Sequence, residues 1–378
     1  MGGFSAHDYN ESELYAWGES GSGRLGNGTE SPDVTAPERI TNAEQVSSVN
    51  PISQWSDASA GSGFAHAATR FGHSYGWGLN SDVSVGDSSN INRSSPVFVR
   101  SNDRFVASSG GGSHAAAILG NILLHGVDNL YTWGGNYNGE LGLGHLNNKS
   151  APTAVGGTTW RSVSCGDQIT AAIKTDDSLW TFGAGANGIL GDGTAVDKSS
   201  PVQIGSTVWS SVDAGDEHML AIQTDGTLWG WGLRQYGAVG DLSTSTSISS
   251  PVQIGAATTW TQVAASINNS AGVQSDGTLW TWGRGDLGAL GNGSTASHYS
   301  SPVQVGSNTD WAFVDAGAHY MLALTTRGEM FAWGINSSGQ LGVGDTTTRS
   351  SPVQVGSLKN WLQVVCGETG AASFARRR

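Results

Sequence analysis

Leu279-Trp-Thr-Trp-Gly283 is the stretch that decides the fold, a run of five residues that ends in a Trp-Gly pair. It returns with small changes in six other places, Leu14–Gly18, Ser74–Gly78, Leu130–Gly134, Leu179–Gly183, Leu228–Gly232 and Met330–Gly334. The final glycines of the seven copies are 60, 56, 49, 49, 51 and 51 residues apart. A period near fifty that is carried by short aromatic strands is typical of a repeat protein. The sequence therefore predicts seven similar units.

One complete unit shows the pattern shared by the others. Three stretches have the apolar patterning of strands: Trp209–Gly215, His218–Gln223 and Leu228–Gly232. Asp225-Gly226 suits a two-residue hairpin, and Ser249–Gly255 is predicted to be an outer strand, where its proline is tolerated. Four antiparallel strands in about fifty residues have the size of a propeller blade. We therefore expect an all-β fold, a seven-bladed β-propeller of four-stranded antiparallel blades.

The two ends of the chain look like complementary parts of one unit. The chain starts with the Trp-Gly strand at Leu14 and finishes with Trp361–Gly367 and Ala371–Phe374. Pairing these strands leaves no open sheet edge, so residues 361–375 and 14–40 are predicted to form the closing blade. Residues 14–375 would then be the propeller, with 1–13 as an N-terminal extension and 376–378, three arginines, as a basic tail.

The charge of the chain argues against a nucleic-acid surface. It has 18 basic and 31 acidic residues, for a net charge of −13, whereas such a surface needs cations to displace counterions from phosphates. No signal-peptide pattern opens the sequence, and the longest apolar run, 115–124, is too short to span a bilayer. We therefore expect no nucleic-acid partner, no membrane insertion and a virion or cytoplasmic location.

The cysteines and histidines, which could react or bind a metal ion, are distributed as structural residues would be. Cys165 and Cys366 occupy the same place in two distant units, so both are predicted to be free and buried. Four histidines are predicted to share one strand position, each in its own blade and bonded to a neighbouring blade: His66, His114, His218 and His319. That separation is too large for a shared metal ion.

Other candidate sites are equally weak. Loops such as Gly191-Asp-Gly193 offer too few oxygens for calcium, and one aspartate per turn is ordinary turn chemistry. Asp216-Glu217-His218 places acid and base types side by side, but consecutive strand residues point to opposite faces. No serine or cysteine lies in a nucleophile motif. We therefore expect no enzyme activity, no catalytic residue, no metal and no cofactor.

Trp333-Gly-Ile-Asn-Ser-Ser-Gly-Gln-Leu-Gly342, followed by Ser-Pro-Val and then by a Val-x-x-Gly-x-x-His pattern, resembles the repeat of the regulator of chromosome condensation (RCC1). The resemblance covers roughly residues 14–375 and implies a seven-bladed propeller. The founding member of that family is a nucleotide exchange factor for a small GTPase and binds chromatin through a basic tail. Other members are appendages of ubiquitin ligases or kinases, and bacterial and phage proteins also carry the repeat. Only fold residues match the motif, so the resemblance carries over no catalytic residue.

Three functions are compatible with these features. The regular Ser-Ser-Pro-Val-Gln segments look like prokaryotic and viral members, which favours a non-enzymatic interaction or structural propeller, such as a phage virion component (tail, baseplate, fibre or capsid-associated) or a bacterial assembly component. The alternative is an exchange-factor-like regulator of a small GTPase. A carbohydrate-binding adhesin is the second alternative. It requires aromatic side chains on a face, whereas the tryptophans of these strands are expected to be buried.

An insertion in the third unit predicts where a protein partner binds. Eleven residues separate Ile118 from Leu130, where the equivalent Ile173 and Leu179 are separated by five. The inserted stretch places apolar residues where other units have a short polar turn, and exposed apolar patches often mark contacts. A hairpin that folds back over its own blade is the open alternative. The predicted partner-binding residues are Ile122, Leu123, Leu124 and His125.

Overall fold

The computed structural model is a closed ring of seven four-stranded antiparallel sheets, which are the blades of a β-propeller. It describes residues 12–41, 54–101, 103–121, 128–156, 159–244, 246–295, 297–367 and 370–378. Within these ranges the helical structure consists of four 3-10 turns, Gly21–Gly23, Ala186–Gly188, Gln235–Gly237 and Asp286–Gly288. No helix in the described ranges has the length and apolar character needed to cross a membrane. The predicted fold class is confirmed.

The strand bounds follow the repeat. Blade 1 takes its third and fourth strands from the start of the chain, β1 (Glu13–Gly18) and β2 (Val34–Arg39). Blade 2 has β3 (Trp55–Ala60), β4 (Phe64–Thr69), β5 (Ser74–Gly78) and β6 (Arg93–Arg100). Blade 3 has β7 (Asp103–Gly110), β8 (His114–Asn121), β9 (Asp128–Gly134) and β10 (Lys149–Ala154). Blade 4 has β11 (Trp160–Cys165), β12 (Ile169–Lys174), β13 (Leu179–Gly183) and β14 (Lys198–Gln203).

The second half of the ring is more regular. Blade 5 has β15 (Trp209–Ala214), β16 (His218–Gln223), β17 (Leu228–Leu233) and β18 (Ser247–Gln253). Blade 6 has β19 (Trp260–Ala265), β20 (Asn269–Gln274), β21 (Leu279–Gly283) and β22 (Tyr299–Gln304). Blade 7 has β23 (Trp311–Gly317), β24 (Tyr320–Thr325), β25 (Met330–Gly334) and β26 (Arg349–Gln354). The chain then supplies the first and second strands of blade 1, β27 (Trp361–Cys366) and β28 (Ala372–Arg377).

Blade 1 closes the ring, as the two incomplete end units predicted. β28 lies between β27 and β1, and its register with β1 pairs Arg376 with Leu14 and Ser373 with Trp17. Arg376 and Arg377 are therefore residues of β28, and the prediction of a separate basic tail at 376–378 is wrong for these two. They are strand residues because the ladder of β1 extends to Glu13, which pairs with Arg377.

The repeated Trp-Gly pair holds neighbouring blades together. The indole Nε1 of the tryptophan in the third strand donates to a carbonyl in a loop of the preceding blade, as Trp231 does to Ile189 at 2.7 Å. The same bond is made by Trp17 (to Gln340), Trp77 (to Arg24), Trp133 (to Ser84), Trp282 (to Ala238) and Trp333 (to Ala289). Blade 4 has Phe182 at this position, and there Thr170 Oγ1 donates to the equivalent carbonyl of Glu140 at 2.8 Å.

The glycine of each Leu-Gly pair leaves room for that ring. A Cβ added at Gly342 would lie 2.7 Å from the indole nitrogen of Trp17, and one at Gly191 would lie 2.7 Å from that of Trp231. No side chain can be added there without moving an indole. Twelve of the 15 tryptophans are buried and the remaining three, Trp180, Trp229 and Trp280, are half-buried. The expectation that the tryptophans form the core rather than a sugar-binding face is confirmed.

The antiparallel order gives the propeller two different ends. The turns between first and second strands and the long connections between third and fourth strands emerge at one end, which we call the loop face. The hairpins between second and third strands and the connections between blades emerge at the other end, the hairpin face.

Candidate functional site

The seven first strands surround a central cavity of about 200 Å³. A first strand is the inner edge of its sheet, so half of its backbone groups lack a partner in the ladder and need one elsewhere. Side chains that project from these strands supply those partners. We call the set the inner polar ring, and its members are Asp57, Ser108, Ser109, Ser164, Asp213, Gln262, Asp315 and Gln363.

The inner polar ring bridges all seven junctions between blades. Two junctions are made by carboxylates that accept a backbone N–H of the next blade, from Ala265 to Asp213 at 2.7 Å and from Cys366 to Asp315 at 2.8 Å. The others are Gln363 Nε2 to Ala58 O (3.0 Å), Ser108 Oγ to Asp57 (2.7 Å), Cys165 N to Ser109 Oγ (3.0 Å), Ala214 N to Ser164 Oγ (3.0 Å) and Gln262 Nε2 to Val314 O (2.7 Å). This ring accounts for the cavity lining, which is therefore structural.

Burial changes the acidity of the ring carboxylates. It raises the pKa of Asp213 to about 6 and that of Asp315 to about 7, where the charge of Asp213 adds to the effect. An aspartate whose pKa is raised in the folded state stabilises the fold below its unfolded value of 3.8, and that contribution is lost as the pH rises through the folded value. The two residues therefore lower the stability of the propeller as the pH rises from about 4 to about 7.

Asp213→Asn is expected to remove this penalty. The amide keeps the acceptor for Ala265 N and places a donor towards Ser164 Oγ, so the variant should gain stability relative to the natural protein at pH 8 but not at pH 4. A shift from 3.8 to about 6 corresponds to a difference of about 3 kcal/mol between the two conditions. Urea unfolding at both pH values measures it, with Asp225→Asn in an exposed hairpin as the control. An equal effect of Asp213→Asn at both pH values would contradict the assignment.

The histidines are structural, but they do not share one position. His114 and His218 begin the second strands of their blades and bond Thr170 Oγ1 and Ser270 Oγ of the next blade, each at 2.8 Å. His66 lies two residues further into its strand, and His319 lies one residue before β24. The prediction of a common position is wrong for these two, because their spacing from the glycine that closes the turn differs. That glycine is Gly61, five residues before His66, and Gly317, two residues before His319, whereas it precedes His114 and His218 by three residues. Burial lowers the pKa of His114 and of His218 to about 4.

The structure bears on the sequence predictions about the cysteines, metal binding and the hairpin of blade 3. Cys165 and Cys366 are free and buried, as predicted, and both line the central cavity. The described part of the chain contains no group of three or more His, Cys, Asp or Glu side chains placed to hold a metal ion. In blade 3 the ladder continues past Ile118–Leu130 to Gly120–Asp128, so the predicted longer hairpin is present. Its predicted partner-binding residues Ile122, Leu123, Leu124 and His125 lie outside the described residues.

Four carboxylates form an acidic cluster on the loop face, Glu140, Asp167, Asp216 and Glu217. Asp167 and Asp216 follow β11 and β15 in equivalent turns. Interblade hydrogen bonds hold these turns, from Asn138 Nδ2 to Gln168 Oε1 at 2.7 Å and from Asn187 Nδ2 to Glu217 Oε1 at 3.3 Å. Gly112 admits the Asp167 side chain, because a Cβ at that position would collide with its carboxylate. The cluster is therefore built by the loops of blades 3, 4 and 5.

The acidic cluster is electrostatically unfavourable in the free protein. Burial, together with the charges of Asp167 and Glu217, raises the pKa of Asp216 to about 7. Burial also raises the pKa of Glu140, and Asp167 adds to that effect. Asp216 Oδ1 and Glu140 Oε1 are buried atoms with no hydrogen-bond partner. Glu140 stands at the position that Gln340 occupies in blade 7. In both blades a side-chain oxygen of this residue accepts the backbone N–H of the residue two positions earlier.

The cations of the loop face do not neutralise the acidic cluster. Six of them are paired with an acid of their own loop: Arg24 with Glu19, Arg93 with Asp87, Lys198 with Asp192, Arg234 with Asp241, Arg284 with Asp286 and Arg349 with Asp345. Across the described ranges no ion pair involves any of the four cluster carboxylates. A cationic surface brought by another molecule would relieve the repulsion among them.

Sequence reasoning missed both of these features. Asp216 and Glu217 lie in a turn rather than in a strand, so the alternation argument did not apply to them. A signal for the inner polar ring was available, since its members stand three or fewer residues from an interior apolar residue of the first strand. This residue is a valine in six blades, as Val212 is before Asp213, and Ala58 in β3.

Comparison with known families gives matches along most of the chain. A family model described as the RCC1-like domain matches residues 128–372, and one described as the regulator of chromosome condensation (RCC1) repeat matches residues 11–67 and 72–118. The E3 ubiquitin-protein ligase HERC2 of Homo sapiens is 27% identical over 373 residues, which cover 96% of this chain and 6% of HERC2. The chain thus spans a small part of that relative.

Two further matches cover more of the other protein. The ultraviolet-B receptor UVR8 of Arabidopsis thaliana is 29% identical over 360 residues, which cover 93% of this chain and 68% of UVR8. The crystal structure of Prp20p from Saccharomyces cerevisiae, described with its binding properties to Gsp1p and histones, has a TM-score of 0.83, with 18% identity and coverage of 97% of this chain and 92% of Prp20p. These proteins are eukaryotic, so they do not support the prokaryotic or viral type that the Ser-Ser-Pro-Val-Gln segments favoured.

Proposed function

Because the chain belongs to the RCC1-like family, we propose that it is a protein-binding propeller that regulates a small GTPase, with the acidic cluster on the loop face as the contact surface. This is the exchange-factor-like alternative of the sequence analysis, and it is preferred over a virion component. It acts by binding, without covalent chemistry of its own. The observation that supports it is the acidic cluster, four carboxylates on one face that make no ion pair with any cation in the described part of the chain.

The chemistry of the acidic cluster defines the partner's surface. Carboxylates that repel one another at a partly buried surface favour a partner that presents lysine or arginine side chains, since each pairing removes repulsion and completes a hydrogen bond. The relative Prp20p, described as binding Gsp1p and histones, supplies two probe proteins.

An exchange assay tests the proposal. The protein is expected to accelerate the release of fluorescent GDP from at least one member of a panel of small GTPases that includes Gsp1p. The double variant Asp216→Asn/Glu217→Gln should lower that rate at least tenfold, because it removes two charges from the acidic cluster. Asp225→Asn/Asp276→Asn removes two charges from hairpins on the hairpin face and should leave the rate unchanged.

Three results would count against the proposal in different ways. If no GTPase of the panel responds, the regulatory function fails. If both double variants lose activity equally, the effect is one of net charge and the acidic cluster is not the site. If Ile122→Ser/Leu123→Ser/Leu124→Ser abolishes binding while Asp216→Asn/Glu217→Gln does not, the contact surface belongs to the segment between β8 and β9, whose ends lie at the hairpin face.

A further inference from the structure

Leu242 occupies a backbone position that six other blades fill with small residues. The amide of this position donates to a carbonyl in the fourth strand of the next blade, from Leu242 to Ser300 at 2.8 Å. The equivalent residues, with the same hydrogen bond, are Gly28, Ser88, Gly144, Gly193, Gly293 and Gly344. All seven have a positive φ, which is 70° at Leu242 and 86° at Gly293 and Gly344. The interblade hydrogen bond thus requires a left-handed conformation, which glycine adopts without strain and leucine does not.

Little burial of the Leu242 side chain offsets this backbone strain. Its side chain is 78% exposed, the most exposed large apolar side chain in the described part of the protein. At the equivalent Gly344 an added Cβ would find no atom within 4 Å, so the position opens to solvent in the repeat itself. A bulky residue that is mostly exposed in a left-handed conformation points to a role outside the folded chain.

Two more bulky residues with positive φ lie in the neighbouring 3-10 turns. Tyr236 has a φ of 57° and Leu287 a φ of 59°, whereas blades 1 and 4 have Ser22 and Asn187 at this place. The Tyr236 ring packs against His298 in a tilted arrangement, with 4.9 Å between ring centroids, and lies 5.1 Å below the Arg284 guanidinium. Gly237 packs on Ser300, the residue that also bonds Leu242, so Tyr236 and Leu242 belong to one surface. Leu287 follows Asp286, which pairs with the Arg284 guanidinium that lies over the Tyr236 ring. We therefore call Tyr236, Leu242 and Leu287 the apolar patch.

We infer that the apolar patch is the anchor site for an apolar side chain of the same basic protein partner whose cations lie on the acidic cluster. The inference rests on the proposed function. Blade 5 carries Asp216 and Glu217 as well as Leu242, so a single partner surface can reach both. The charges beside the patch are internally paired, Arg234 with Asp241 and Arg284 with Asp286, which leaves the patch itself neutral. The partner therefore presents a basic segment next to an exposed aliphatic or aromatic side chain.

Two substitutions of Leu242 separate the effect of the backbone strain from the effect of the side-chain contact with a partner. Leu242→Gly removes both the side chain and the strain, whereas Leu242→Ala removes most of the side chain and keeps the strained conformation. Leu358→Ala is the control, since Leu358 is 46% exposed and lies on the hairpin face. Binding is measured with Gsp1p, with core histones and with the GTPases of the exchange panel, and stability by thermal unfolding.

The expected result is a gain in stability together with a loss of binding. Leu242→Gly should raise Tm by roughly 1–3 °C and weaken the acidic-cluster-dependent binding about tenfold. Leu242→Ala should weaken binding to the same extent without the gain in Tm, and Leu358→Ala should change neither.

Other outcomes distinguish this inference from the proposed function. If Asp216→Asn/Glu217→Gln weakens binding and Leu242→Gly does not, the proposed function stands and the anchor site is wrong. A fall in Tm for Leu242→Gly would show that the leucine stabilises the chain itself, which overturns the inference whatever the partner. If no probe binds the natural protein, the proposed function and the inference fall together.

Discussion

Deletion of residues 361–378 is expected to leave the protein without a cooperative thermal transition. The deletion removes β27 and β28, so it takes the first two strands from blade 1 and leaves β1 with an open edge. It also removes Trp361 and Phe374, which are buried, and the Phe374 ring lies 5.9 Å from that of Trp77 in blade 2. Each large apolar side chain contributes about 1.5–3 kcal/mol by burial, whereas a whole domain is stable by about 5–15 kcal/mol. The loss is comparable to the total.

Circular dichroism during heating and size-exclusion chromatography measure this effect. A circular permutant that joins the natural ends through a linker and opens the hairpin at Asp225-Gly226 is the control. It keeps four strands in every blade and should melt cooperatively. Addition of a peptide with residues 361–378 to the truncated protein is expected to restore the transition. A truncated protein that melts within a few degrees of the natural one would show that the ring does not depend on closure by these strands.

Gly342→Ala is expected to destabilise the protein much more than Gly344→Ala. Both glycines have a positive φ, 69° and 86°, so both substitutions introduce a similar backbone strain of about 1–2 kcal/mol. Only at Gly342 does the new Cβ meet another group, the Trp17 indole at 2.7 Å. Displacing a buried ring from a close-packed site costs a further 1–3 kcal/mol, roughly. The total for Gly342→Ala is then about 2–5 kcal/mol.

Urea unfolding of the two variants measures the difference directly, since the backbone term is common to both. Substitution at Gly342 should also weaken the bond from Trp17 Nε1 to Gln340 O, which is 2.8 Å long in the natural protein. Near-ultraviolet circular dichroism reports the displaced indole. Equal losses for the two variants would mean that the Leu-Gly glycine serves the backbone alone and not the approach of the indole.

The architecture could be predicted from the sequence because the same packing requirement between blades recurs in every unit. A Trp-Gly strand buries its indole against the preceding blade, and its recurrence near every fifty residues reports the number of blades. The closing blade followed from the incomplete end units. The strand bounds at the C-terminus could not be predicted as well, because three arginines suggest solvent, whereas the ladder of β1 draws Arg376 and Arg377 into β28.

The candidate site was less accessible to sequence reasoning. The acidic cluster joins loops of blades 3, 4 and 5, and residues such as Glu140 and Asp216 are far apart in the chain. Their proximity depends on how neighbouring blades pack, and no periodic pattern encodes it. Leu242 is different, because its departure from the glycine of the equivalent turns is visible in the aligned repeats. Its meaning required the φ angle and the exposure, which only the structure supplies.

The way the ring closes also bears on how the protein is made. Of the propeller strands, β1 and β2 are synthesised first, whereas β27 and β28, their partners in blade 1, follow more than three hundred residues later. Until then β1 has an unpaired edge and the face of blade 2 that packs against Phe374 is exposed to solvent. Synthesis at about 5–20 residues per second keeps this state open for tens of seconds. During translation the nascent chain is therefore most exposed to aggregation, and a chaperone that covers the edge of β1 would protect it.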